Sequence, residues 1–303
     1  METYYSNGKL LLTGEYVVLD GALSLAVPTK FGQSLKIETL NEQNLVWESF
    51  DTNGNCWFNN TFPLEISKML KQVQHDDEIS KRIIQILKAA KTLNPDFLNT
   101  KNGFRISTHL TFPRNWGLGT SSTLINNMSQ WAHVNPFELL EQTFGGSGYD
   151  IACAQNNTPI TYQLQKDKIA VNPIIFNPKF KDSIYFVYLN KKQNSRDGIA
   201  TYQANKQHLE PIINDINILT THIIECQNLN DFETLLDQHE QIISNITKQA
   251  TVKSIFFNDF KGSIKSLGAW GGDFVLVTST ADPSSYFKEK GFDTIIPYTD
   301  MVL

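Results

Sequence analysis

The run Pro113-Arg114-Asn115-Trp116-Gly117-Leu118-Gly119-Thr120-Ser121-Ser122-Thr123 constrains this chain more than any other stretch. It leaves an apolar, strand-like segment, passes two glycines and opens what reads as a helix. Glycine accepts turn conformations that other residues resist, and it lets the backbone come close to a ligand. The hydroxyl-rich first turn adds unpaired N–H groups, the positive end of a helix dipole and oxygens for a cation. The stretch therefore reads as an anion site, and phosphate suits it.

The two common nucleotide signatures are absent: no G-x-x-x-x-G-K-[ST] occurs, and no G-x-G-x-x-G follows a strand. Nor does the chain hold an H-R-D or D-F-G set of the protein-kinase kind. A net charge of −5, with lysines scattered among acids, gives no footprint for nucleic acid. Three distant cysteines, Cys56, Cys153 and Cys226, suggest neither a disulfide framework nor a metal knuckle. Reduced thiols and a cytoplasmic protein are expected, because no window approaches a membrane span and no basic-then-apolar leader opens the chain.

With 303 residues, 41% hydrophobic and 19% charged, the chain is long enough for two packed lobes. Strands are predicted over 10–12, 22–27, 34–39, 45–50 and 103–112, with Asp51-Thr52-Asn53-Gly54 as a turn. Apolar residues at helical spacing predict helices over 80–90 and 121–132. A strand pair at 160–164 and 169–175 and a strand at 184–189 lead into a helix-rich second half, with helices over 209–226 and 231–249 and a strand at 273–279. The boundary is set at domains of 1–172 and 173–303.

Three motifs in one order carry a resemblance. Pro113 to Thr123 resembles the P-x-x-x-G-L-G-S-S-A-A loop of the GHMP kinases. Gly8-Lys9-Leu10-Leu11-Leu12-Thr13-Gly14-Glu15-Tyr16 resembles that family's first motif, a lysine-bearing strand followed by a G-E-H-like turn. Gly268-Ala269-Trp270-Gly271-Gly272-Asp273 resembles the third motif, a G-A-G-G-G-[GD] loop. The resemblance implies an α+β fold of two lobes, the first like domain 2 of ribosomal protein S5 and the second ferredoxin-like, with the active site between them. It implies ATP and Mg2+ as cofactors, a small-molecule acceptor, and a monomer or homodimer with no nucleic-acid or membrane partner.

The resemblance also assigns roles. Gly117, Leu118, Gly119, Thr120, Ser121 and Ser122 would cradle the nucleotide phosphates, joined by Gly268, Ala269, Gly271 and Gly272. The hydroxyls of Ser122 and Thr123 stand where the family has alanines, and their direction is open. Ser121 would face magnesium, with Glu141, or alternatively Glu138, as the acidic ligand. Asp150, in Gly145-Gly146-Ser147-Gly148-Tyr149-Asp150-Ile151-Ala152, resembles the family's catalytic aspartate and would act as general base, with Lys9 as the nearby cation. Glu15, Tyr16 and Gly148 would border the acceptor, and a polar loop with Lys191, Lys192, Ser195 and Arg196 would suit its carboxylate or phosphate.

Two departures from the family pattern stand out. Trp270 replaces a glycine where a bulky side chain limits positive φ, and Tyr16 replaces histidine, hinting at a different acceptor. Asp273 resembles the aspartate that follows these glycines in phosphomevalonate-kinase-like members, and the resemblance favours that branch. The function implied is a small-molecule kinase with a mevalonate- or phosphomevalonate-like acceptor. A diphosphomevalonate-decarboxylase-like enzyme and a non-catalytic ligand-binding homologue are the alternatives.

Overall fold

The computed structural model describes residues 1–65, 68–69, 77–166, 168–193 and 195–303, with the backbone alone at 195 and 196. The chain forms two compact units. The first comprises Met1–Gly8, Phe31–Arg114 and Leu118–Gln155, and the second Lys9–Lys30, Asn115–Gly117 and Asn156–Leu303. Strands β1 (Glu2–Leu11) and β2 (Ser24–Leu40) each contribute residues to both units. The predicted break between 27 and 34 does not occur. Proline already has an extended φ, so Pro28 costs the strand only one donor, and its carbonyl still accepts from Leu303 N–H at 3.0 Å.

In the first unit, β3 (Asn44–Phe50) and β4 (Cys56–Pro63) form a hairpin closed by the predicted turn. Asp51 Oδ1 accepts from the N–H groups of Asn53 and Asn55, and Gly54 takes φ 78°. Helix α1 (Glu78–Leu93) starts where the Asp77 side chain accepts from Ser80 N–H and stops before Asn94-Pro95. Its Ile83, Ile84, Ile86 and Leu87 are buried with Leu45, Trp47 and Phe62 in the unit's core. Burying each such side chain contributes roughly 1.5–3 kcal/mol. Strand β5 (Gly103–Leu110) runs parallel to β3 and antiparallel to residues 33–40 of β2, giving the order β4-β3-β5-β2.

Helices α2 (Thr120–Ala132), α3 (Pro136–Glu141) and α4 (Tyr149–Ala154) complete the first unit. A buried polar network fixes α2. Ser6 Oγ donates to Asn127 Oδ1 at 2.7 Å, Asn127 Nδ2 donates to the Gln33 carbonyl at 2.9 Å, and Thr123 Oγ1 donates to Gln33 Oε1 at 2.8 Å. Such a satisfied network specifies one position for the helix, because any shift strands buried polar atoms.

In the second unit, β6 (Ile160–Gln165) pairs with residues 24–26 of β2 and with β7 (Lys168–Pro173). A separate sheet holds β8 (Ile184–Tyr188), with helices α5 (Ser195–Asn205), α6 (Leu209–Glu225), α7 (Leu229–Thr247) and α8 (Val252–Phe256) following it in the chain. Strands β9 (Ile264–Ser266) and β10 (Phe274–Thr278), helix α9 (Ser284–Glu289), strand β11 (Ile295–Pro297) and helix α10 (Tyr298–Met301) follow. The sheet order is β11-β8-β10-β9, antiparallel throughout, which is the fourth-first-third-second order of a ferredoxin-like sheet. No helix among the described residues is long and apolar enough to cross a membrane.

Candidate functional site

The second unit brings the first and third motifs together. Lys9, Leu10 and Leu11 of β1, Trp116 and Gly117, and Leu267, Gly268, Asp273 and Phe274 line one small cavity. Lys9 Nζ donates to the Gly117 carbonyl at 3.1 Å. Asp273 turns through φ 54°, donates its N–H to the Lys191 carbonyl at 2.7 Å and accepts from Gln193 N–H at 3.1 Å. Burial raises its carboxyl above the ordinary carboxylate range, while the Gln193 amide, Lys9 and Lys192 pull it back down. The Trp116 ring meets Phe274 edge to face, with centroids 5.4 Å apart.

Glycine is required at Gly117 for two reasons. Its φ is 69°, and a Cβ there would lie 2.3 Å from the Asp273 carboxyl carbon. Gly268 also has positive φ, at 65°, but no atom lies within 4 Å of where its Cβ would stand, so its face is open. The small cavity thus brings together an ammonium, a carboxylate and the backbone of two glycines.

The third-motif loop resolves the expected conflict at Trp270. Positive φ falls on Gly268, Gly271 and Asp273, so the tryptophan needs none. Its ring is buried with Tyr16, Val17 and Tyr202, and the backbone N–H of Trp270 donates to Tyr16 Oη at 3.0 Å. Ala269 is buried and Gly271 exposed. Gly272 has no room for a side chain, since a Cβ there would meet the Lys191 carbonyl oxygen at 2.7 Å.

In the first unit, Gly119 caps α2 with φ 95° and no side-chain hydrogen bond, leaving the first-turn N–H groups uncapped. Thr120 is half-buried, Leu118 buried and Ser121 exposed. The direction of the two following hydroxyls is now defined. Ser122 Oγ donates to the Gly119 carbonyl at 2.9 Å, and Thr123 Oγ1 is shared between Gln33 and the helix's own carbonyls. Both hydroxyls serve the helix, and the Thr123 N–H is itself given to the Gly119 carbonyl at 2.9 Å.

Glu138 and Glu141 are both exposed on α3, whose start is capped by the Asn135 side chain. Asp150 lies in the first turn of α4, half-buried, after Gly148 at φ 84°, and its Oδ1 accepts from Ile151 N–H at 3.0 Å. Among the described residues no three His, Cys, Asp or Glu side chains gather as a metal cluster.

The acceptor residues fall in several places. Lys191 is exposed and presents its carbonyl to Asp273. The expected polar loop ends sooner than predicted: Ser195 and Arg196 begin helix α5, and their side chains lie outside the described residues. Polar composition hid this helix, whose apolar residues are few. Glu15 and Tyr16 are buried in the second unit. Tyr16 stacks on Tyr202 with centroids 5.9 Å apart, and Gly198 of α5 permits the approach, since a Cβ there would stand 2.4 Å from Tyr16 Oη.

No protein-family profile and no curated protein sequence matches the chain. Solved structures do. The mevalonate kinase of Methanococcus jannaschii superposes with a TM-score of 0.70 over 97% of this chain and 96% of that one, at 15% identity. The chain has the GHMP kinase fold. Phosphomevalonate kinase of Streptococcus pneumoniae, solved with phosphomevalonate and AMPPNP, gives a TM-score of 0.68 at 14% identity, covering 96% of each chain. Galactokinase of Lactococcus lactis, solved with galactose, gives 0.69 at 14% identity, covering 95% of this chain and 88% of that one. The GHMP kinase fold thus spans nearly all of this chain and of neighbours that differ in acceptor.

Sequence reasoning gave no site role to Lys265, His239 and Glu240, and it treated Asp273 only as a branch marker. Asp273 follows the third-motif glycines directly, so its signal was local. The other three are ordinary helix and strand residues in the sequence.

Proposed function

We propose that the chain is a cytoplasmic, ATP- and magnesium-dependent small-molecule kinase. It transfers the γ-phosphoryl group to a hydroxyl or phosphate of a small anionic metabolite, of mevalonate or phosphomevalonate type. The observation that carries this reading is the convergence of Lys9, Gly117, Gly268 and Asp273 on one cavity. When bound, ATP with magnesium supplies an activated phosphoryl group whose charge is partly neutralised by the ion.

The chain's own residues then have distinct tasks. Gly117 and Gly268 let backbone approach phosphate oxygens, and the uncapped first turn of α2 offers N–H donors to an anion. The Lys9 ammonium stabilises negative charge on transferring oxygens. Ser121 and Glu141, or Glu138, provide hard oxygen atoms for the cation. Asp150 orients the acceptor hydroxyl and takes its proton late in the transfer, a role that suits a carboxylate too weakly basic to deprotonate an alcohol beforehand. Lys191, Ser195 and Arg196 are assigned to the acceptor's anionic group.

The test is ADP production from ATP and magnesium in the presence of mevalonate, phosphomevalonate, homoserine, and hexose or heptose phosphates. One acceptor should raise ADP release well above the acceptor-free rate. Release of carbon dioxide together with phosphate would instead indicate the decarboxylase chemistry.

A further inference from the structure

Four ionisable side chains are sealed inside the second unit: Glu15, His239, Glu240 and Lys265, each at most 3% exposed. Lys265 Nζ donates to Glu15 Oε1 in a short contact and to the Ser266 carbonyl at 2.9 Å. Ser266 gives its N–H to both carboxylate oxygens of Glu240 at 3.1 Å and its hydroxyl to Oε1 at 2.8 Å. Gly14 N–H donates to His239 Nε2 at 2.9 Å, so that nitrogen carries a lone pair and the ring is neutral. Burial likewise holds the imidazole far below its ordinary range.

The position of these bonds in the chain gives them meaning. Lys265 and Ser266 end β9, the edge strand of its sheet, and Gly268 of the cavity follows two residues later. Glu15 belongs to the turn that leaves β1, whose Lys9, Leu10 and Leu11 line the same cavity. The ion pair therefore joins the segment leaving one wall to the segment entering another. A buried ion pair adds little net stability, because desolvation offsets its attraction, so geometry is its main product.

We propose that Lys265, acting through Glu15, is a positioning residue that holds the Lys9 strand and the Gly268 loop at the spacing a nucleotide phosphate requires. Glu240 is the second anchor, fixing Ser266 from α7. Charge balance supports this arrangement: one lysine neutralises one carboxylate, the histidine is neutral, and the second carboxyl is neutral only when protonated. Burial and the neighbouring Glu15 push Glu240 up to about 8, against the opposing pull of Lys265 and Ser266. Above that pH the sealed cluster gains an uncompensated negative charge, and although the Ser266 hydrogen bonds to the carboxylate strengthen, its desolvation cost favours opening of the segment that Glu240 anchors.

The inference rests on the nucleotide reading above, and the experiment separates the two. Trp116 lines the cavity, so tryptophan fluorescence without acceptor reports ATP binding. Lys265→Met alone strands a buried carboxylate and is expected to fold poorly, so the decisive protein is Glu15→Gln/Lys265→Met, which removes both charges. It should keep a wild-type circular dichroism spectrum and bind ATP at least tenfold more weakly. Glu240→Gln, which keeps a partner for Ser266, should erase the weakening of ATP binding that the wild type undergoes above pH 8. A folded double variant with wild-type affinity overturns the proposal, as does alkaline weakening that persists in Glu240→Gln. The latter arm decides the matter if the double variant does not fold. Failure of the wild type to bind ATP at any pH overturns the nucleotide reading itself.

Discussion

At Gly117 two demands coincide, a positive φ and the carboxylate of Asp273 where a side chain would stand. Gly117→Ala must displace Asp273, which also holds Gln193 and faces Lys9. We expect a loss of about 1–3 kcal/mol in stability and a larger loss in ATP affinity, read by thermal unfolding and by binding titration. Alanine at Gly268 makes the contrasting case, because its face is open and only the φ penalty applies. Ser121 is exposed in the first turn of α2 and offers an oxygen to a cation. Ser121→Ala should raise the magnesium concentration needed for half-maximal activity and lower kcat; an unchanged magnesium titration would assign the ion to other oxygens. Glycines of this kind are legible in sequence because φ is a local property. Whether the next hydroxyls face ligand or helix was not, since Ser122 and Thr123 are claimed by Gly119 and by Gln33, ninety residues from Thr123.

Among the elements, β9 and α7 share the buried cluster, and its titration makes a prediction about stability. Glu240 binds its proton more tightly folded than unfolded, so its contribution is full below about pH 4.5 and is lost as pH rises through about 8. Glu15 acts in the same sense, because burial outweighs Lys265. His239 acts oppositely: it is neutral when folded, so stability falls as acid protonates the unfolded chain below about 6.5. Between about pH 6.5 and 8 the histidine no longer compensates, and the Glu240 slope removes about 2 kcal/mol, with Glu15 acting in the same direction. Urea unfolding across that range should follow this decline in the wild type and lose most of it in Glu240→Gln. A pH-independent wild type would mean that Glu240 is ionised throughout. The helices α1, α2, α6 and α7 were all legible from apolar spacing, as were most strands. The short β9 and β11 were not, because strands of three residues carry no period; β4 and residues 2–9 of β1 were missed because polar residues, Asn59 and Asn60 or Ser6 and Asn7, interrupt their apolar ones, and α5 was hidden by its polar sequence.

For the whole molecule, three short motifs predicted a fold that neighbours at 14% and 15% identity share over nearly the full chain. That was possible because the motifs encode backbone turns, which persist when surrounding side chains change. The cluster behind the cradle was illegible for the opposite reason: Lys265 meets Glu15 across 250 residues of chain, and neither spacing nor composition links them. The acceptor is illegible too, since the neighbours include kinases of different acceptors on one fold.

The central claim is phosphoryl transfer with Asp150 as the proton acceptor, and acceptor-driven ADP release by wild type and Asp150→Asn at saturating ATP and magnesium tests it most directly. The substitution keeps the shape of the side chain and removes its ability to take a proton. With an acceptor found, the account predicts that Asp150→Asn loses roughly 10²–10⁴-fold in kcat while ATP affinity stays within a few-fold. Near-native acceptor-driven ADP release by Asp150→Asn would contradict it.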